Sequence, residues 1–429
     1  MIESDLYVRS GRIEKIGKDL SAMKVRHVLD VKGKFLLPGM IDDHVNFRES
    51  VGDYKGDICS ESRAAVAGGI TTFFDAPDSN ITVLNSDALE AKVELAAEKS
   101  ITNYAFYHGA SIDNLEEIKV INPSSCCGLK VSMGASSGSM LVDRPEILND
   151  IFKHSPVIIA SHCEDSPTIV ENEESYRQIY GDDIPFQLHS KIRSEEACYK
   201  SSSLAVELAQ THKARLHLLH VSTAKETEML SDDPINEKLV TAEVCGHYLM
   251  FSDEDYATKG SLIKCDPAIK TEIDRAGLFQ GLMDNHLDVI GTDHSPKIWS
   301  EKQGNYFEVL SGIPTAEFAL PSLLEHYQDG IFTLEFLVEK TSHAVAELFN
   351  IKDRGYIREG YWADFVIVDI ENGITANSKD VISKALWTPY DVFEFRSSVY
   401  ATIVNGDLVY INGKTRTGTI GKRVEFNRD

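Results

Sequence analysis

From residue 35 to about 294, short apolar runs alternate with amphipathic stretches, the pattern of repeated βα units around a parallel sheet. Eight runs stand out: Phe35–Phe47, Thr71–Pro77, Tyr104–Gly109, Gly128–Met133, Val157–Cys163, Arg215–Val221, Leu239–Tyr248 and Leu287–Asp293. Between them, segments such as Glu61–Gly68, Ala88–Glu98 and Lys191–Gln210 carry helical periodicity. Eight strands at this spacing predict an α/β chain folded as a (β/α)8 barrel, whose functional residues gather at the C-terminal strand ends. The flanks are patterned differently. Before residue 35 and after about 353, apolar and polar residues alternate around Gly and Asn-Gly turns, which reads as antiparallel hairpins. The expected division is therefore 37–352 for the barrel, with 1–36 and 353–429 joining into one small β domain. Met1 reads as entering partway through the first β element.

Charge narrows the partners. With 43 Lys+Arg against 67 Asp+Glu, the net charge is −24, and such a surface repels phosphate backbones and anionic headgroups. Neither a nucleic acid nor a membrane is expected as a partner. No apolar run approaches the roughly 18 residues of a membrane span, and the first 20 residues lack the apolar core of a secretion signal, so the expectation is a cytoplasmic protein. Seven scattered cysteines (Cys59, Cys126, Cys127, Cys163, Cys198, Cys245, Cys265) without a CxxC pair read as reduced thiols.

The chemistry sits at the strand ends. Strand one ends in His44-Val45-Asn46-Phe47-Arg48, strand four carries Lys130, strand five ends in His162, strand six in His220 and strand eight in Asp293-His294. Alternation puts His44 and Asn46 on one face. A single histidine is more often a satisfied core or surface residue than a ligand. Several imidazoles and a carboxylate converging at one barrel mouth instead make an N/O metal site, with zinc the favoured occupant. Lys130 lies in an apolar strand, where burial favours the neutral amine. Such an amine can take up carbon dioxide as a carbamate, an anionic ligand able to bridge two metals. The plainer alternative is an ammonium paired with Asp293.

The stretches "LLPGMIDDHVNFRES", "ESRAAVAGGITTFFDAP", "GLKVSMGASSGSMLVD", "ASHCED", "LHLLHVSTA", "GTDHSPK" and "GYIREGYWADFVIVD" resemble, in order, those of dihydroorotases in the amidohydrolase superfamily. The resemblance implies a TIM-type barrel with a small β-sandwich domain formed from both termini. It implies hydrolysis or closure of a cyclic amide or ureide, dihydroorotate to N-carbamoyl-aspartate in pyrimidine biosynthesis. By the same resemblance, one or two zinc ions are held by His44, Asn46, Lys130, His162, His220 and Asp293, with carbamylated Lys130 as the bridge. Asp293 takes the water proton and passes it to the leaving ring nitrogen. Arg48, Asp78, Asn80, Asp266, His294 and Gly312 form the substrate pocket, and Arg48 grips the substrate carboxylate as a fork. Related allantoinases and hydantoinases lack that arginine, which favours an acidic ring. A homodimer is the family-level expectation.

Three positions depart from the family pattern. Asn46 replaces the second histidine of His-x-His, and a neutral amide oxygen is a poorer zinc ligand than imidazole. Asp78 and Asp266 stand where the family has asparagine. At an effective dielectric of about 20, a like charge some 4 Å from a substrate carboxylate costs on the order of 4 kcal/mol, enough to impair dihydroorotate binding strongly. Two further readings follow from these exchanges. One is a catalytically degenerate homologue with a structural or regulatory role, for example alongside aspartate transcarbamoylase. The other is an allantoinase-like or hydantoinase-like enzyme with a changed ring.

Overall fold

The computed structural model describes residues 2–47, 49, 56–78, 81–134 and 140–428. The eight apolar runs each contain a strand of one parallel barrel: Met40–Val45, Ile70–Asp75, Asn103–Phe106 continuing at His108–Gly109, Leu129–Ser132, Ile159–His162, Leu216–Leu218, Val240–Cys245 and Val289–Gly291. Neighbours pair in parallel around the ring. Closure comes from strand one against the end of strand eight, where Asn46 N–H donates to the His294 carbonyl at 2.8 Å. Amphipathic helices such as Ser86–Lys99, Glu195–His212 and Glu272–Met283 cross over between strands, each started by a side-chain cap from Asn85, Ser194 or Thr271. No helix among the described residues is long and apolar enough to cross a membrane.

The first barrel strand, MIDDHV, is buried at every position although half of it is polar. Its pairing with strand two slips between Asp42 and Val45. A bulge of this kind re-aims side chains. Asp43 accepts from His217 Nε2 at 3.1 Å, while His44 reaches Lys130 of strand four.

The flanking hairpins form as their turns predict. Ser10-Gly11, Asn405-Gly406 and Asn412-Gly413 all have positive φ at both residues, the signature of the tight hairpin turn matched to strand twist. The last two connect Ser398–Val404, Asp407–Ile411 and Lys414–Thr415, which continue through Phe365–Asp369 to Phe35–Pro38 in one five-stranded antiparallel sheet. The N-terminal hairpin, Asp5–Arg9 with Arg12–Gly17, packs Ile13 against Phe365, Ile367 and Ala401. Chain from both ends thus shares one core. The expected boundary at 36/37 falls inside the Phe35–Pro38 strand. The C-terminal stretch turns back to the barrel, where Val424 N–H donates to the Tyr104 carbonyl and Phe426 meets Phe74.

Candidate active site

At the C-terminal mouth, the ends of five strands bring His44, Lys130, His162, His220 and Asp293 together. Lys130 Nζ lies 3.0 Å from His44 Nε2. His162 Nδ1 faces His220 Nε2 at 2.8 Å, and the His44 and His220 rings are 5.3 Å apart. Asp293 Oδ1 is 3.7 Å from His44 Nε2 and accepts from Asn46 Nδ2 at 2.8 Å. His220 and Asp293 both sit in the left-handed backbone region, at φ 41° and 45°. Such strain in non-glycine residues persists only where the surroundings enforce it, and it marks functional sites.

Electrostatics favour ligand-ready imidazoles. Burial first, then the neighbouring Lys130 charge, holds His44 well below its ordinary value of 6.5. Burial, with His162 and Lys130 beside it, does the same for His220. Neutral imidazole is the form that binds a metal. Beneath them Glu243 accepts the His220 N–H at 2.8 Å and lies 3.4 Å from His44 Nδ1. Burial, reinforced by Asp43, pushes the Glu243 carboxyl well above its usual range.

As side chains stand, the donor sets are incomplete. Among the described residues no three His, Cys, Asp or Glu side chains are grouped to hold an ion. On one side stand His162 and His220, and Lys130, 3.0 Å from His44 Nε2, would add an anionic oxygen only as a carbamate. On the other stand His44 and Asp293, whose companion is an amide that gives its NH2 to Asp293.

The expected substrate residues are less united. Arg48 and Asn80 lie outside the described residues. Asp78 is exposed and bridges to Thr82. Gly312, at φ 132°, donates its N–H to the Lys264 carbonyl and accepts from Lys302 Nζ, so its backbone is committed within the loop. A Cβ there would come within 2.6 Å of the Ser295 carbonyl oxygen, which is why the position is glycine. Asp266 does not present an unbalanced charge. Its Oδ1 meets Arg193 Nε at 2.7 Å and accepts from Ser311 Oγ at 2.8 Å. Against the burial that would raise it, the Arg193 guanidinium holds its carboxyl below the usual range.

His294 corrects the sequence expectation most clearly. Its Nε2 donates to Glu61 Oε2 at 2.9 Å, and its Nδ1 accepts from Thr315 and Ala316 N–H, both at 3.0 Å. With both ring nitrogens used and no exposure, it ties the loop after strand eight to the helix Ile58–Ala67 rather than gripping substrate. Glu61 in turn accepts from Ser383 Oγ at 2.6 Å. Replacing His294→Ala is expected to lower the unfolding free energy by about 3 kcal/mol, since it leaves two buried backbone donors without their acceptor and takes one of several partners from the Glu61 carboxylate. Denaturant unfolding checks this; unchanged stability with a raised KM would instead mark a substrate contact.

Sequence reasoning passed over Glu164, Arg193 and Glu243. A signal for the first was present, since Glu164 stands only two residues after His162, just past the end of its strand.

Nitrogen donors and one carboxylate thus gather at the C-terminal mouth, where barrel enzymes carry their chemistry. Residues 35–409 match the Amidohydrolase family. The chain is 31% identical to a dihydroorotase of Pyrococcus furiosus over 100% of its own length and 95% of that protein's. It is 27% identical to an allantoinase of Desulfitobacterium hafniense, covering 98% of this chain and 95% of the other. In structure it is similar to an L-hydantoinase (dihydropyrimidinase) of Arthrobacter aurescens, with a TM-score of 0.92 at 24% identity over 98% and 96% of the two chains. The chain belongs to the amidohydrolase family and is a hydrolase of C–N bonds in cyclic amides.

Proposed function

We propose that the chain hydrolyses a cyclic ureide of the dihydroorotate type to its N-carbamoyl amino acid, or closes that ring in reverse, with zinc held chiefly by His162, His220 and carbamylated Lys130. The observation that carries this reading is the meeting of those three side chains with His44 and Asp293 at one barrel mouth. When bound, the metal supplies acidification of the attacking water and polarisation of the ring carbonyl. Asp293 accepts the water proton at a carboxylate oxygen and delivers it to the departing ring nitrogen, so one group acts as base and then acid. Asn46 steadies that carboxylate by donating to Oδ1. Arg48, three positions after Val45 in the sequence, is assigned the substrate carboxylate, for which a guanidinium fork is suited.

The pairing of Asp266 with Arg193, which also serves Glu164, partly offsets one of the two charges that argue against an acidic ring. Asp78 remains, but it is exposed, and water screens a surface charge far below the 4 kcal/mol scale reached at low dielectric. Asp78→Asn is therefore expected to raise kcat/KM on dihydroorotate by at most roughly fivefold, leaving a neutral ring such as dihydrouracil unchanged. The test is turnover of dihydroorotate, dihydrouracil, hydantoin and allantoin by zinc-loaded protein. Preference for dihydroorotate supports the proposal. A second reading, a barrel turned to a neutral ring, draws on the Asp78 exchange, and preference for dihydrouracil or hydantoin would establish it.

A further inference from the structure

Beside the candidate ligands lies a chain of buried ionic groups that the mechanism above does not use. His162 Nε2 is 3.1 Å from Glu164 Oε2. The same oxygen receives Arg193 Nη1 at 2.5 Å, and the Nε edge of that guanidinium meets Asp266 at 2.7 Å. Glu164 has no side-chain exposure and Arg193 has 13%. The three elements involved are far apart in sequence: the end of strand five, the segment before the helix Glu195–His212, and the loop after strand seven. The far end is anchored by Ser311, which donates to Asp266, and by His189, whose Nε2 lies 3.7 Å away while bonded to the Cys265 carbonyl. Burial and the two carboxylates act on Arg193, and the net effect raises it above its already high ordinary value, so it stays charged.

The network holds two carboxylates and one guanidinium, a net charge of −1, directed at an imidazole. Glu164 as an acceptor requires a proton on His162 Nε2, which leaves a lone pair on Nδ1, the nitrogen facing His220. Carboxylates placed behind ligating imidazoles in this way fix the tautomer and raise ligand basicity. We infer that Asp266, Arg193 and Glu164 form a positioning relay that locks His162 as its Nε2–H tautomer and presents Nδ1 to the metal side. This inference rests on the metal reading for its purpose, though not for its geometry. Asp266 has a distinct part in the relay. By sharing the guanidinium, it leaves Glu164 less neutralised and so a stronger acceptor for His162, which strengthens the half of the site that does not depend on Asn46.

The deciding experiment combines nitrogen NMR of histidine-labelled, metal-free protein with zinc affinity measured by chelator competition. The wild-type chain is expected to show His162, assigned by loss of its signal in His162→Gln, with a protonated Nε2 and a bare Nδ1. In Glu164→Gln one amide oxygen still serves both Arg193 and the ring, so the tautomer is kept, but the carboxylate charge behind the ring is lost and zinc affinity falls roughly 10- to 100-fold. Asp266→Asn, a milder change that serves if Glu164→Gln misfolds, keeps the tautomer and lowers zinc affinity several-fold. A bare Nε2 in the wild type overturns the relay, as does unaltered zinc affinity in both variants. If the tautomer is as stated and the His162 nitrogen signals shift in Glu164→Gln while the wild type binds no zinc, the relay stands and the metal reading fails.

Discussion

Exchanging Asp293→Asn is expected to lower kcat for ring hydrolysis by about a thousandfold while leaving the fold and the bound zinc in place. The loss is that of general acid–base transfer, which contributes about 10²- to 10⁴-fold when one positioned group carries the proton. Asparagine is close in size and can still meet Asn46, so the left-handed backbone at this residue need not relax. It offers no basic oxygen for the water proton, however, and no proton for the leaving nitrogen. Steady-state kinetics with metal analysis of the same preparation checks both halves. A variant within tenfold of the natural rate would move the proton chemistry to another group.

Lys130→Ala is expected to remove turnover altogether and to reduce zinc from about one per chain to near zero. Lys130 Nζ lies 3.0 Å from His44 Nε2, and an ammonium has no lone pair with which to bind a metal. Carbamylation would remedy this by converting the amine into an anionic oxygen donor. A short carboxylate or added short-chain acids should restore part of the zinc in Lys130→Ala, because they supply the missing anionic oxygens. Full zinc retention without such rescue would refute the carbamate. The reverse change is expected at Asn46. Asn46→His frees Asp293 from the amide and adds an imidazole beside His44, so a second zinc should be retained through dialysis, read by elemental analysis.

The barrel was legible because its signal is repetitive. Each of eight apolar runs had to be buried on both sides, and runs such as Val157–Cys163 and Leu287–Asp293 bracket the strands Ile159–His162 and Val289–Gly291. Turn chemistry was equally local, as Asn405-Gly406 shows. The convergence of His44, Lys130, His162, His220 and Asp293 followed from strand-end position alone. What sequence could not reveal were partners chosen in three dimensions. Arg193 lies 73 positions before Asp266, and nothing local announces that it pairs with that carboxylate. His294 follows Asp293 directly, yet the left-handed turn at Asp293 sends the two side chains to different tasks. Asn46 read as a weakened ligand; its bond to Asp293 shows that the exchange also redirects an interaction.

The most direct test of the account is dihydroorotate hydrolysis by one preparation in three states: as purified, stripped by chelator, and reloaded with one equivalent of zinc in the presence of bicarbonate. The account predicts measurable turnover, its loss on stripping, and its return at about one zinc per chain. Undiminished turnover by the stripped protein, or none on any cyclic amide after reloading, would contradict it.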